Sequence, residues 1–135
     1  MRISGKYNPL QWDEVTIGEV LNGTKFTKAS IKSQFMGDIE GTASIEYLMF
    51  YTSFDEADMH AAEATYLGFM RIEGFLQGKE GSFVLKDTGT FSKGVAESSL
   101  EIIAESGTKQ LKDISGAGSA KADQKGCVWQ LDILI

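Results

Sequence analysis

The stretch Lys28-Ala29-Ser30-Ile31-Lys32-Ser33-Gln34-Phe35-Met36-Gly37-Asp38-Ile39-Glu40-Gly41-Thr42-Ala43-Ser44-Ile45-Glu46-Tyr47 decides the fold. Up to Phe35 it alternates, with Ala29, Ile31, Ser33 and Phe35 on one face and Lys28, Ser30, Lys32 and Gln34 on the other. That period of two is the signature of a strand with one dry face and one wet face. Gly37-Asp38 marks a bend, after which Ile39, Gly41, Ala43, Ile45, Tyr47, Met49 and Tyr51 fall on one side. Glu40, Thr42, Ser44 and Glu46 hold the opposite side until Leu48 and Phe50 replace them. A polar face that turns apolar partway along predicts a second contact surface, such as a subunit interface.

Working outward, Arg2–Tyr7 reads as a strand ended by the Asn8-Pro9 turn signal, followed by a short extended piece at Gln11–Ile17. On the other side, Ser53 with Glu56 three residues later reads as a capping box, and the alanines after it predict a short helical insertion near residues 55–64. Thr65–Leu76 is apolar on both faces, which predicts a strand covered on both sides. Ser82–Phe91 and Val95–Glu105 read as further strands. The Gly- and Ser-rich stretch Ser106–Ala120 reads as a loop with Leu111 and Ile114 as plugs, and Cys127–Ile135 as the last strand. About eight extended segments with hairpin-like connections favour closure, because closure removes exposed edges. The expected fold is all-β: a single antiparallel β-barrel of about eight strands, one domain over residues 1–135. At that strand number a lumen is either filled by side chains or holds one small ligand.

Composition narrows the function classes. The 135 residues, 42% hydrophobic and 24% charged, suit one folded domain. A net charge of -6 opposes binding to phosphate backbones, so no nucleic-acid partner is expected. The single cysteine permits no intrachain disulfide, and neither a metal site nor a cofactor motif stands out. The N-terminus lacks the apolar run of a signal peptide, and Leu48–Tyr51 is too short to span a bilayer. A cytoplasmic protein with no membrane contact is the simplest expectation. Several strands are apolar on both faces, which predicts a homodimer or higher homo-oligomer.

Few residues suggest chemistry. Glu46, flanked by Ile45, Tyr47 and Leu48, is a candidate proton-transfer carboxylate, because an apolar setting raises a carboxyl pKa. Glu73 shares a strand face with Arg71, Leu67, Phe69 and Phe75, which implies either an ion pair or an anionic ligand. Tyr47, Met49, Tyr51, Met70 and Trp129 are candidate lumen walls, equally suited to core filling. His60 reads as a solvent-exposed side chain on the insertion and Cys127 as a small core residue.

The string Phe35-Met36-Gly37-Asp38-Ile39-Glu40-Gly41 with Ile45-Glu46-Tyr47-Leu48, then Gly81-Ser82-Phe83-Val84-Leu85, Gly89-Thr90-Phe91, and Ser106-Gly107-Thr108 through Leu111 and Ile114 to Gly116-Ala117-Gly118, resembles a bacterial family of unknown function. That family is similar in fold to the allene oxide cyclase barrel, and the resemblance runs from Arg2 to about Leu131. Where the family pattern often places a glutamate before the arginine and a histidine near position 87, this chain has Met70 and Asp87. Fold likeness alone carries no activity. Three functions follow as expectations. The first is binding of a small apolar or anionic molecule in the barrel mouth, with Tyr47, Tyr51, Met70 and Trp129 as walls and Arg71 or Glu46 setting its orientation. The second is an isomerase or cyclase using Glu46 or Glu73 for proton transfer, and the third an oligomeric accessory protein with a filled lumen. A cavity of roughly 300 Å³ or more separates the first two from the third.

Overall fold

The computed structural model describes every residue from Met1 to Ile135. Its strands are β1 (Arg2–Leu21), β2 (Thr24–Gly37), β3 (Ile39–Ser53), β4 (Glu63–Leu76), β5 (Lys79–Ser92), β6 (Val95–Ile102), β7 (Ser115–Asp123) and β8 (Gly126–Leu134). Each pairs antiparallel with the next, and β1 meets β8 to close the ring. The fold is an eight-stranded antiparallel β-barrel. The deciding stretch is the β2–β3 hairpin, in register from Lys25↔Tyr51 to Phe35↔Gly41.

The strands are not all the ones the composition suggested. Asn8-Pro9 does not turn the chain: β1 runs on, shifting register between Pro9 and Gln11 and leaving Leu10 without a partner. Pairing with β8 ends at Tyr7↔Cys127, so Pro9 lies past the last β8 contact, where a missing N–H is tolerated. Conversely, the Gly- and Ser-rich stretch hides β7, paired with β8 from Ser115 to Asp123 and with β6 from Ala117 to Ala122. A methyl at Gly118 would lie 1.9 Å from the Gln130 carbonyl oxygen, so glycine there permits close strand contact. One merged strand and one hidden strand leave the number at eight.

The helical insertion shrinks to a single 3-10 turn, Met59–Ala61, with a second at Lys109–Leu111. Asp58, not Ser53, caps the first: its carboxylate accepts from the His60 N–H at 3.1 Å, while Ser53 stays in β3. Ala64 is already in β4, buried and paired with Tyr51 and Phe91, so too few residues remain to sustain a helix.

Inward-facing Ile3, Ile39, Ile72, Leu76, Phe83, Leu85 and Leu131 are almost fully buried and fill one end of the barrel. Leu111 and Ile114, from the segment after β6, are buried against them. That segment is pinned by the Thr108 N–H donating to the Ser82 carbonyl (2.9 Å) and the Ser106 hydroxyl accepting from the Val84 N–H (3.0 Å). The expectation of Leu111 and Ile114 as plugs matches this floor. Burying such side chains stabilises by roughly 1.5–3 kcal/mol each.

Outside, Lys32, Glu40, Arg71, Glu73 and Lys86 are exposed, the reverse of a lipid-facing band. No helix is long and apolar enough to cross a membrane. β4 is covered on its inner face only: Leu67, Phe69 and Phe75 are about half exposed.

Candidate lumenal binding site

Opposite the floor, the barrel holds a cavity of about 290 Å³ that opens at its mouth. Ile31, Ile45, Met49, Tyr7, Tyr47 and Tyr66 form its walls, and Trp12, His60, Phe91, Gly94 and Gln124 border it from the other end. A larger concavity of about 950 Å³ lies on the outer wall between β5 and β1. It is lined by solvent-facing Thr88, Thr90, Glu97, Ser99 and Lys121, which makes it an open surface groove. The more sheltered lumen is the better site for a small molecule, since burial of the ligand is what gives affinity.

Two tyrosines reach across glycines to polar partners one strand further on. Tyr47 on β3 faces Gly68 on β4, which faces Asp87 on β5. With no side chain at Gly68, the Tyr47 ring lies over it and the phenol donates to Asp87 Oδ2 in a short hydrogen bond. The same device recurs one strand along. Tyr66 on β4 faces Gly89 on β5, which faces Ser98 on β6, and the two hydroxyls meet at 2.6 Å. A methyl at Gly68 would sit 2.6 Å from the Tyr47 ring, and one at Gly89 would sit 2.5 Å from the Tyr66 hydroxyl. The tyrosine rings meet edge to face, centroids 5.1 Å apart.

Asp87 is the chemically distinctive residue. It is 2% exposed, and its second oxygen, Oδ1, is buried without a partner. Burial raises its pKa above the ordinary 3.8, against the opposing pull of Tyr47 and Ser98. Burial and the nearby Asp87 raise the Tyr47 phenol, and burial lifts Tyr66 to about 12. Tyr7, raised by burial and by its neighbour Cys127, completes a set of neutral phenols. Burial also raises the Cys127 thiol, which lines the cavity half-buried and is therefore not poised as a thiolate.

The structure separates the residues singled out from sequence. Tyr47 and Met49 line the cavity. Tyr51, Met70 and Trp129 are buried but do not border it. Tyr51 donates to Glu14 (2.6 Å), which also accepts from Thr27 (2.8 Å) and Trp12 (2.9 Å) and so ties β1 to β2 and β3. Trp129 donates to the Lys6 carbonyl at 3.2 Å. Glu46, Arg71 and Glu73 all point outward. Glu46 accepts from the Ser30 hydroxyl at 2.5 Å in solvent rather than in an apolar cup, and no ion pair joins Arg71 to Glu73. None of the three reaches the lumen, because the strand alternation that buries Ile45, Tyr47 and Ile72 sends them out. His60 is exposed as expected, yet it borders the cavity.

Asp87, Tyr66, Ser98 and Ser33 were not among the sequence candidates. The usable signal was a tyrosine, a glycine and a polar residue on successive strands, which needs the hairpin registers to be seen.

A closed barrel with a packed floor and a tyrosine-lined chamber, with one buried carboxyl group behind its wall, thus defines the class. The chain belongs to the family described as "Protein of unknown function (DUF3224)", whose model matches residues 3–133. A crystal structure of a protein with unknown function from this family, from Shewanella oneidensis MR-1, is similar with TM-score 0.77 at 19% identity. The match covers 100% of this chain and 97% of that one. That likeness speaks to the fold alone. No curated protein matches.

Proposed function

We propose that this protein binds a small, mainly apolar molecule inside the barrel, its polar end against Tyr47, Tyr66 and Ser98. The supporting observation is the cavity of about 290 Å³ at the open end of the barrel, in which 11 of 18 lining residues are hydrophobic. That volume speaks against a lumen packed solid. No lysine or arginine lines it, so of the apolar and anionic ligands expected from sequence, the apolar one is favoured. Methyl NMR with 2-phenylethanol as probe tests the reading. Shifts confined to Ile31, Ile45 and Met49 support it, whereas shifts only at outward-facing Leu48 and Leu67, or none, overturn it.

A catalytic reading is favoured by one observation: Asp87, rather than the outward-facing Glu46 or Glu73, is the carboxyl group that burial makes hold its proton more tightly than a free carboxyl does. An isomerase or cyclase working by proton transfer would use it. Deuterium uptake at the α-carbon of 4-phenyl-2-butanone would exceed the buffer rate and fall to it in Asp87→Asn. Equal rates with and without protein would end this reading.

Self-association rests on the outer wall. Ile17, Phe26, Leu48, Phe50 and Leu67 are cross-strand neighbours on β1 to β4, with Phe69 beside them opposite Glu46. Ile17, Phe26, Leu48, Leu67 and Phe69 are each 43–51% exposed. Five such side chains at about half exposure, with Phe50 more covered, present roughly 400–600 Å², set against the ~800 Å² per partner of a stable interface. Lys28 and Lys32 flank the stripe on β2, with Glu46 and Glu73 on β3 and β4, so a two-fold axis can set unlike charges together. The partner that fits is a second copy of this chain. Light scattering should give a dimer that Leu67→Lys converts to monomer; a wild-type monomer at micromolar concentration refutes it.

A further inference from the structure

The unspent hydrogen-bonding capacity of the lumen indicates what kind of polar group it takes. Two buried side-chain atoms lack partners, Asp87 Oδ1 and Ser33 Oγ. Ser33 lines the cavity; Asp87 lies behind Tyr47, which also lines it. Once ionised, the Asp87 carboxylate can only accept, and the Ser33 hydroxyl can accept as well as donate. The empty positions therefore call for a donor. Leaving a buried acceptor unpaired is costly, so a ligand that supplies the missing donor gains what the unliganded protein lacks.

Charge points the same way. Among the lining residues the only carboxylate is Asp123, Asp87 stands just behind the wall, and no lysine or arginine is present. An anionic head group would meet Asp87 as a like charge if ionised, and would gain no counter-charge from it if neutral. A cation would meet the rings of Tyr7, Tyr47, Tyr66 and Phe91, whose π faces attract positive charge. An ammonium group carries three donors and no acceptor, the complement of what is left open. Burying a charge is unfavourable unless it is paired, and Asp87 is the partner already in place.

We propose that the lumen takes a small amine as its ammonium ion, with Asp87 as counter-ion and the tyrosine rings as walls. This rests on the lumenal-binding reading and deepens it by naming the chemical class. The outward Arg71 and Glu46 play no part, and orientation is set from within by Asp87 and Ser98.

Three probes of one shape and different charge test the inference: 2-phenylethylamine, 2-phenylethanol and phenylacetate, titrated into the full chain at pH 7 by calorimetry or NMR. The amine is expected to bind at least about tenfold more tightly than the alcohol, with phenylacetate weakest. Asp87→Asn should bring amine and alcohol within about threefold of each other, while Glu46→Gln on the outer wall keeps the preference. If Asp87→Asn does not fold, the wild-type order of the three probes still decides. Alcohol or phenylacetate binding as tightly as the amine overturns the amine assignment and leaves lumenal binding standing. So does an amine preference that survives in Asp87→Asn. Binding of none of the three overturns both.

Discussion

Asp87→Asn isolates the energetic consequence of burying one acid among three phenols. Its inward neighbours are Tyr66 on β4 and Ser98 on β6, and Tyr47 reaching over from β3, with Tyr7 on β1 near enough to feel its charge. None supplies a positive charge, and burial is the dominant influence, so the folded protein holds the Asp87 proton to higher pH than the unfolded chain does. The sign follows by linkage. The stability contributed by that tighter proton is complete below the unfolded value of 3.8. It is lost as pH rises through the raised folded value. One proton gives a slope of about 1.4 kcal/mol per pH unit within that window. Asparagine keeps a carbonyl for the Tyr47 phenol and has nothing to titrate. Urea unfolding of both proteins from pH 4 to 7.5 should show wild type losing ground to Asp87→Asn as pH rises, at constant m-value. Exposed pairs such as Arg2 with Asp132 titrate alike in both and cancel. A stability difference that is flat across this range, or that grows in favour of wild type, would refute the assignment of Asp87 as an uncompensated buried acid.

Gly68→Ala places a methyl 2.1 Å from the Glu46 carbonyl and against the Tyr47 ring. Overpacking and a displaced Tyr47–Asp87 bond together should lower stability by about 2–5 kcal/mol in urea titrations, and a loss under 1 kcal/mol would contradict the close-approach geometry. Leu111→Ala, at a side chain 2% exposed in the floor, should lose about 2–4 kcal/mol and speed amide exchange between Ile103 and Ile114; unchanged exchange there would show that the floor does not depend on this residue.

Where sequence was informative, it was because period-two alternation survives any choice of register. The β2–β3 hairpin and the switch from Glu46 to Leu48 and Phe50 were both legible, and the apolar outer stripe lies where that switch occurs. Pro9 misled because its turn signal is local. Whether it ends a strand depended on β8 stopping at Tyr7, a contact 120 residues away in sequence. β7 was hidden because Gly116 and Gly118 serve the neighbouring backbone and leave no hydrophobic trace. Glu46 and Glu73 drew attention through apolar neighbours in sequence, but neighbours along a strand face the opposite side. Asp87 was masked for the converse reason: flanking Lys86 and Thr88 look polar while its own side chain points inward.

Asp87 also links the ligand's charge to proton release. In the unliganded protein burial favours the neutral acid; beside a bound ammonium the ionised form is favoured instead. Binding an amine should therefore expel a proton wherever pH lies below the raised Asp87 value. Below that value affinity climbs with pH by up to about tenfold per unit for the one proton, levelling off above it. Calorimetry of 2-phenylethylamine in two buffers of different ionisation enthalpy measures the proton directly. Other titratable groups at the cavity are Tyr7, Tyr47, Tyr66, Cys127, Asp123 and His60. The phenols and the thiol are raised and stay protonated below pH 8, and Asp123 and His60 are unchanged in Asp87→Asn, so its proton count is the baseline to subtract. Release of about one proton in wild type and about none in the variant fits a buried acid awaiting a cation. Equal release in the two proteins would instead place the titrating group at the mouth.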